Sequence, residues 1–90
     1  MIFRFSVNGK RALDKLDKEI AKRIMKKMAY WESTGDPLKY ATKITDSDDL
    51  YRYRSGHYRL ITYLDFKKDA IIILDIGHRK SIYDSLKNLS

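Results

Sequence analysis

From Lys10 onward the apolar residues Leu13, Leu16, Ile20, Ile24, Met28 and Trp31 recur at steps of three and four, the spacing of a single helical stripe. Lys18, Lys22, Lys26 and Lys27 fall between them as a solvated basic face. Asp17 divides the run, because its carboxylate suits an orphan amide at the start of a new helix beginning with Lys18 and Glu19. The pattern predicts a helical hairpin over residues 9–15 and 18–33, closed by Gly35 and Pro37 in the order expected past a helix C-terminus. Ahead of it, Met1 to Val7 alternates as an opening strand, with Ile2, Arg4 and Ser6 on one side and Phe3, Phe5 and Val7 on the other, and Asn8-Gly9 as its break.

Downstream the period changes. Leu38 to Asp49 is polar and reads as a loop, and its Asp46-Ser47-Asp48-Asp49 cluster lacks the glycine and the distant bidentate glutamate of an EF-hand, so no metal site is expected. Three strands follow, Leu50 to Arg54, His57 to Leu64 and Ala70 to Ile76, joined by turns at Ser55-Gly56 and Asp65 to Asp69. Turns this short make antiparallel hairpins. The last strand is apolar on both faces, as a central strand is, so the helices should cover one face of the sheet and something else must shield the other. The expected fold is a single α+β domain over residues 1–90: a strand, a helical hairpin, then a three- to four-stranded antiparallel sheet.

Composition narrows the partners. Nineteen Lys and Arg against twelve Asp and Glu leave a net charge of +7, a balance suited to polyanions. The chain has no cysteine, which excludes disulfides and thiolate metal sites and makes the cytoplasm the simplest expectation. The longest apolar run, Ala70 to Leu74, is far short of the roughly 20 residues of a membrane helix, and the N-terminus carries no secretory signal pattern.

The positive charge is not confined to loops and helices. Arg52, Arg54, Arg59 and Arg79 lie in or against the strand segments, where a buried and unpaired guanidinium costs several kcal/mol. Strand alternation puts Arg52 and Arg54 on one face and Tyr51 and Tyr53 on the other; Arg59 joins the arginines across the hairpin unless the register slips by one residue. Singly, such arginines pair with carboxylates, here Asp48, Asp65 or Asp75. Gathered together they repel one another unless anions sit among them, which points to a phosphate-bearing ligand. Gly77-His78-Arg79-Lys80-Ser81-Ile82-Tyr83 adds cations, an imidazole and a phenol just past the central strand. His57 reads as a turn residue and Met25, Met28 and Trp31 as core; Lys22, Arg23, Lys26 and Lys27 read as a solvated helix face suited, as a group, to a groove of ribosomal RNA.

The stretch Leu50-Tyr51-Arg52-Tyr53-Arg54-Ser55-Gly56-His57-Tyr58-Arg59-Leu60-Ile61, the apolar strand, and then Gly77-His78-Arg79-Lys80-Ser81-Ile82-Tyr83 resemble the RelE/ParE superfamily of toxins from toxin–antitoxin modules. The resemblance extends over nearly the whole chain. It implies a strand, two helices and a sheet whose concave face holds the site. RelE-type members cut mRNA in the A site of a translating ribosome without metal or cofactor, whereas ParE-type members use the same scaffold to inhibit DNA gyrase. By motif, Arg59 corresponds to the arginine of the Gly-x-Tyr-Arg strand, Arg79 to the arginine after the central strand, Tyr83 to the terminal tyrosine, and Arg52 or Arg54 to a basic position on the preceding strand. The partners implied are an acidic RelB-like antitoxin, the ribosome and mRNA.

One departure from the RelE pattern bears on mechanism. Where that pattern has a pair of lysines, this chain has Leu50 and Arg52, and an arginine is a poor base near neutral pH. The resemblance then leaves His57, His78 or Tyr83 to move protons, or a reaction that leans on electrostatics alone. The sequence-based expectation is a ribosome-dependent mRNA endonuclease acting by 2′-hydroxyl attack, with Arg59, Arg79, Tyr83 and His78 as catalytic residues and Arg52 and Arg54 as substrate-binding residues. The alternative is a gyrase-inhibiting toxin that is not an enzyme.

Overall fold

The computed structural model of the chain describes residues 1–82. In chain order the elements are β1 (Ile2–Phe5), α1 (Val7–Asp14), α2 (Lys18–Ser33), a 3₁₀ turn (Pro37–Tyr40), β2 (Thr42–Lys43), β3 (Leu50–Ser55), β4 (Tyr58–Asp65) and β5 (Ala70–His78). The strands form one sheet in the order β1-β5-β4-β3-β2. β2 to β5 pair antiparallel, as their short turns require, whereas β1 pairs with β5 in parallel, from Ile2 opposite Ala70 to Phe5 opposite Ile73. Among the described residues the sheet thus holds five strands and is mixed.

The expected helical hairpin is present with shifted ends. Asp17 caps α2 as expected, its Oδ1 accepting from the Glu19 amide at 3.0 Å. The first helix begins earlier than 9, and Val7, assigned to the strand by alternation, is already helical. Ser6 is the reason: its Oγ accepts from the Gly9 amide at 2.9 Å, donates to the Ile73 carbonyl at 3.0 Å, and so starts α1 against β5. Asn8-Gly9 therefore lies inside the helix instead of breaking the chain, and Asn8 Nδ2 donates to the Leu74 carbonyl at 2.9 Å. Part of the expected loop at 38–49 is also ordered, as the 3₁₀ turn and the edge strand β2.

The core lies between α2 and the inner sheet face, where Ile24, Met28 and Trp31 meet Tyr53, Leu60, Leu64, Ile71, Ile73 and Ile76. Aromatic rings organise one end of it: Trp31 lies 4.8 Å from Tyr53 between centroids, and Phe3 meets Tyr53 edge-on at 5.3 Å. Burial pushes the Tyr53 phenol well above its ordinary value, with the Asp36 carboxylate adding to the effect, so the group stays a neutral donor. It donates to the Pro37 carbonyl at 2.9 Å and ties the 3₁₀ turn to β3. Tyr53→Phe is expected to cost about 1–2 kcal/mol, read from urea unfolding, because it strands a buried carbonyl.

Candidate functional site

The register of the β3–β4 hairpin settles the faces. Arg54 stands directly opposite Arg59, Arg52 opposite Ile61, and Arg59 opposite Gly77, so Arg52, Arg54 and Arg59 share the face turned away from α2. Tyr51, Tyr53, Leu60 and Thr62 occupy the other, and Thr62 Oγ1 donates to the Tyr51 carbonyl at 2.9 Å there. Arg59 folds back over the turn, its Nη1 donating to the carbonyls of Gly56 at 3.1 Å and Tyr58 at 3.0 Å. Those contacts orient the guanidinium while leaving it further N–H groups for a ligand.

The candidate carboxylates each make a contact of their own. Asp48 lies 4.0 Å from Lys43, Asp65 accepts from the Lys68 amide at 3.1 Å, and Asp75 accepts from the Ile76 amide at 2.8 Å. Among the described residues no ion pair joins a carboxylate to Arg54, Arg59 or Arg79. Arg54 and Arg79 are exposed, and the Arg79 amide donates to the His57 carbonyl at 2.7 Å, which carries the pairing of β4 and β5 past the strand end.

A bulge decides where the end of β5 points. Ile61 pairs with Asp75 but Thr62 pairs with Ile73, so Leu74 is an extra residue and every position after it changes face. Without the bulge Asp75 would face the core. With it, Ile76 is buried under the helices, while Asp75 and Gly77 turn to the arginine face, where Ile82 packs on Gly77. Asp75 is thus a carboxylate on the cationic face, a placement that alternation in the sequence does not reveal.

The same shift carries His78 to the helix side, opposite Tyr58, and away from the face that holds Arg52 and Arg54. Its ring meets Tyr58 edge-on at 5.7 Å and stacks with His57 at 5.9 Å, while Nδ1 accepts from the Lys80 amide at 3.2 Å. Partial burial first, then His57, Lys80, Arg79 and Arg59, lowers its pKa. A neutral ring accepting at Nδ1 carries its proton on Nε2 and presents an N–H donor there. The lowered pKa also fixes a stability trend. As pH falls below the ordinary value of 6.5 the unfolded chain binds the proton before the folded one, so stability declines toward acid. His78→Gln is expected to lessen that decline, checked by urea midpoints at about pH 7.5 and about pH 5.5.

At the hairpin end the two faces meet. A cleft of about 330 Å³ lies between α2 and the β3–β4 turn, lined by Ile20, Arg23, Ser55, Gly56, His57 and Tyr58. Arg23 belonged to the solvated helix face in the sequence reading; only the packing of α2 over the turn brings it to His57 and Tyr58. Tyr83 lies outside the described residues. Among those described, no three of His, Cys, Asp and Glu stand together as metal ligands, and no helix is long and apolar enough to cross a membrane.

Comparison with known proteins agrees with this architecture. The family described as the ParE toxin of the type II toxin–antitoxin system, parDE, matches residues 3–83. No curated protein matches the chain. Among solved structures, the RelB–RelE antitoxin–toxin complex of Methanococcus jannaschii matches at 28% identity and a TM-score of 0.72, over 90% of this chain and 95% of that one. The toxin–antitoxin complex RelBE2 of Mycobacterium tuberculosis matches at 24% identity and a TM-score of 0.73, over 87% of this chain and 96% of that one. A doubly substituted E. coli RelE toxin in the free state shares 18% identity at a TM-score of 0.70, over 99% of this chain and 97% of that one. A chain matched over nearly its whole length by the toxin family, with the RelE-like fold, belongs to the RelE/ParE superfamily of type II toxin–antitoxin toxins.

Proposed function

We propose that the protein is a ribosome-dependent mRNA endonuclease that cleaves mRNA in the A site by metal-independent attack of the 2′-hydroxyl on the adjoining phosphate. The observation that carries this reading is the arginine face: Arg54 directly across from Arg59, with Arg52 beside them, and no described carboxylate paired to Arg54, Arg59 or Arg79. Arg59 and Arg79 hold the scissile phosphate, and their guanidinium N–H groups stabilise the pentavalent transition state. Arg52 and Arg54 bind the flanking backbone. The 2′-oxygen loses its proton as it bonds to phosphorus, the 5′-oxygen leaves and takes one up, and the products are a 2′,3′-cyclic phosphate and a 5′-hydroxyl. Tyr83 orients the nucleotide or moves a proton, and His78 donates from the edge of the site. The ribosome contributes positioning, worth several kcal/mol, which compensates for the missing lysine base.

The partners are the ribosome, mRNA and an acidic RelB-like antitoxin that silences the toxin in the cytoplasm, in keeping with the net charge of +7 and with structural neighbours solved as RelB–RelE complexes. A second reading, a gyrase-binding toxin without enzymatic activity, is favoured by the match to the ParE family and by the absent lysine pair. Mapping mRNA 5′ ends after induction separates the two: new ends inside translated codons support cleavage, while intact messages with relaxed plasmid DNA support the gyrase reading.

A further inference from the structure

We infer that the cleft between α2 and the β3–β4 turn is a second nucleotide subsite, so that a single RNA strand bound on the arginine face bends round the hairpin end and seats its next nucleotide against Arg23. This rests on the RNA-cleaving reading and extends it to a surface on the opposite side of the sheet.

Three features meet there. The cleft is continuous with the arginine face through the turn itself: Gly56 lines the cleft, and its carbonyl also accepts from Arg59 on the other side. The turn carries no side chain at that point, and Gly56, with φ of 59° and open space around its absent Cβ, leaves a low saddle over which a backbone can pass. The walls then suit one nucleotide. Arg23 supplies a planar fork for a phosphate, Tyr58 and His57 supply ring surface for a base, and Ile20 closes the floor. His78 adjoins these rings, stacked on His57 and edge-on to Tyr58.

Charge calls for an anionic occupant, and ring surface selects RNA over an acidic peptide. The cleft lining contains no carboxylate, and Lys80, Arg79 and Arg59 act on His78, the ring next to His57 and Tyr58, to lower its pKa. The lining offers one guanidinium beside two flat rings and little aliphatic surface beyond Ile20, which matches a phosphate and a base and not a row of leucines. Arg23 also has no described carboxylate within ion-pair distance to compete with a phosphate.

The test is an NMR titration of the ¹⁵N-labelled full-length toxin with an oligouridylate hexamer, run on wild type, Arg23→Gln and Lys22→Gln. Lys22 is the neighbouring exposed cation outside the cleft lining, so its loss measures the general effect of one charge. The expected result is saturable shifts of the Gly56, His57 and Tyr58 amides together with those of Arg54 and Arg59. Arg23→Gln should weaken binding by roughly tenfold and Lys22→Gln by less than about twofold. A dinucleotide, too short to occupy both faces, should bind wild type and Arg23→Gln alike. Shifts confined to the arginine face, or equal losses from the two variants, overturn the subsite while leaving the RNA reading intact. No shift anywhere also overturns the subsite, and the ribosome-dependent reading is then decided by the mapping of mRNA 5′ ends.

Discussion

Arg79→Ala is expected to lower ribosome-dependent mRNA cleavage by about 10²-fold or more and to leave the fold unchanged. Both halves follow from position. The Arg79 side chain is exposed and has no described carboxylate partner, so its removal takes away no packing and no ion pair. Its structural contribution is the backbone N–H donated to the His57 carbonyl at 2.7 Å, which alanine retains. Unfolding midpoints should therefore agree with wild type within about 0.5 kcal/mol, as for most surface changes. On the proposed mechanism the variant loses a guanidinium donor to the phosphate, and that loss falls on the chemical step. Single-turnover cleavage beside a urea melt checks the pair of expectations, and a folded Arg79→Ala variant cutting at the wild-type rate removes Arg79 from the site.

The largest effect on stability is expected at Gly9. Helix propensity alone predicts that Gly9→Ala stabilises α1 by roughly 1 kcal/mol. The fold predicts the opposite sign. A Cβ at Gly9 would overlap the carbonyl oxygen of Ile73 and stand 2.8 Å from its carbon, and that same carbonyl accepts from both the amide and the hydroxyl of Ser6. Because the obstacle is backbone, relief requires lifting α1 off β5. Overpacking costs typically 1–3 kcal/mol, and a clash of this kind belongs at about 3 kcal/mol or beyond. For a domain of this size that lowers Tm by roughly 12–24 °C. Thermal unfolding by circular dichroism gives the answer, and a Tm equal to or above wild type contradicts the described contact between α1 and β5.

Local signals explain what could be read from the sequence. The stripe Ile20, Ile24, Met28 and Trp31 and the Asp17 cap depend on neighbours within one or two turns, and α2 formed where they indicated. The β3–β4 hairpin is equally local, and its register put Arg52, Arg54 and Arg59 on one face as alternation suggested. Three features were hidden because their causes are distant or conditional. Asn8-Gly9 resembles a turn until Ile73 is seen to demand a residue without a Cβ inside a helix. The parallel pairing of β1 depends on β5, nearly the whole chain away. The bulge at Leu74 leaves no mark in a run that is apolar throughout, yet it reverses the faces of Asp75, Ile76, Gly77 and His78. The arginines were therefore legible as a group, whereas the placement of His78 on the helix side and of Asp75 among the cations required the fold. Arg23 was legible only as a charge, since its relation to His57 and Tyr58 is a tertiary contact.

The central claim is cleavage of mRNA on the ribosome, and a reconstituted assay tests it most directly. One toxin preparation is added, with and without its antitoxin, to programmed ribosomes, to the same mRNA alone, and to DNA gyrase with relaxed plasmid. The account predicts cuts in the A-site codon of ribosome-bound mRNA, ending in a 2′,3′-cyclic phosphate, with little or no cleavage of free mRNA and undisturbed supercoiling. Uncut mRNA on the ribosome together with blocked supercoiling would contradict it.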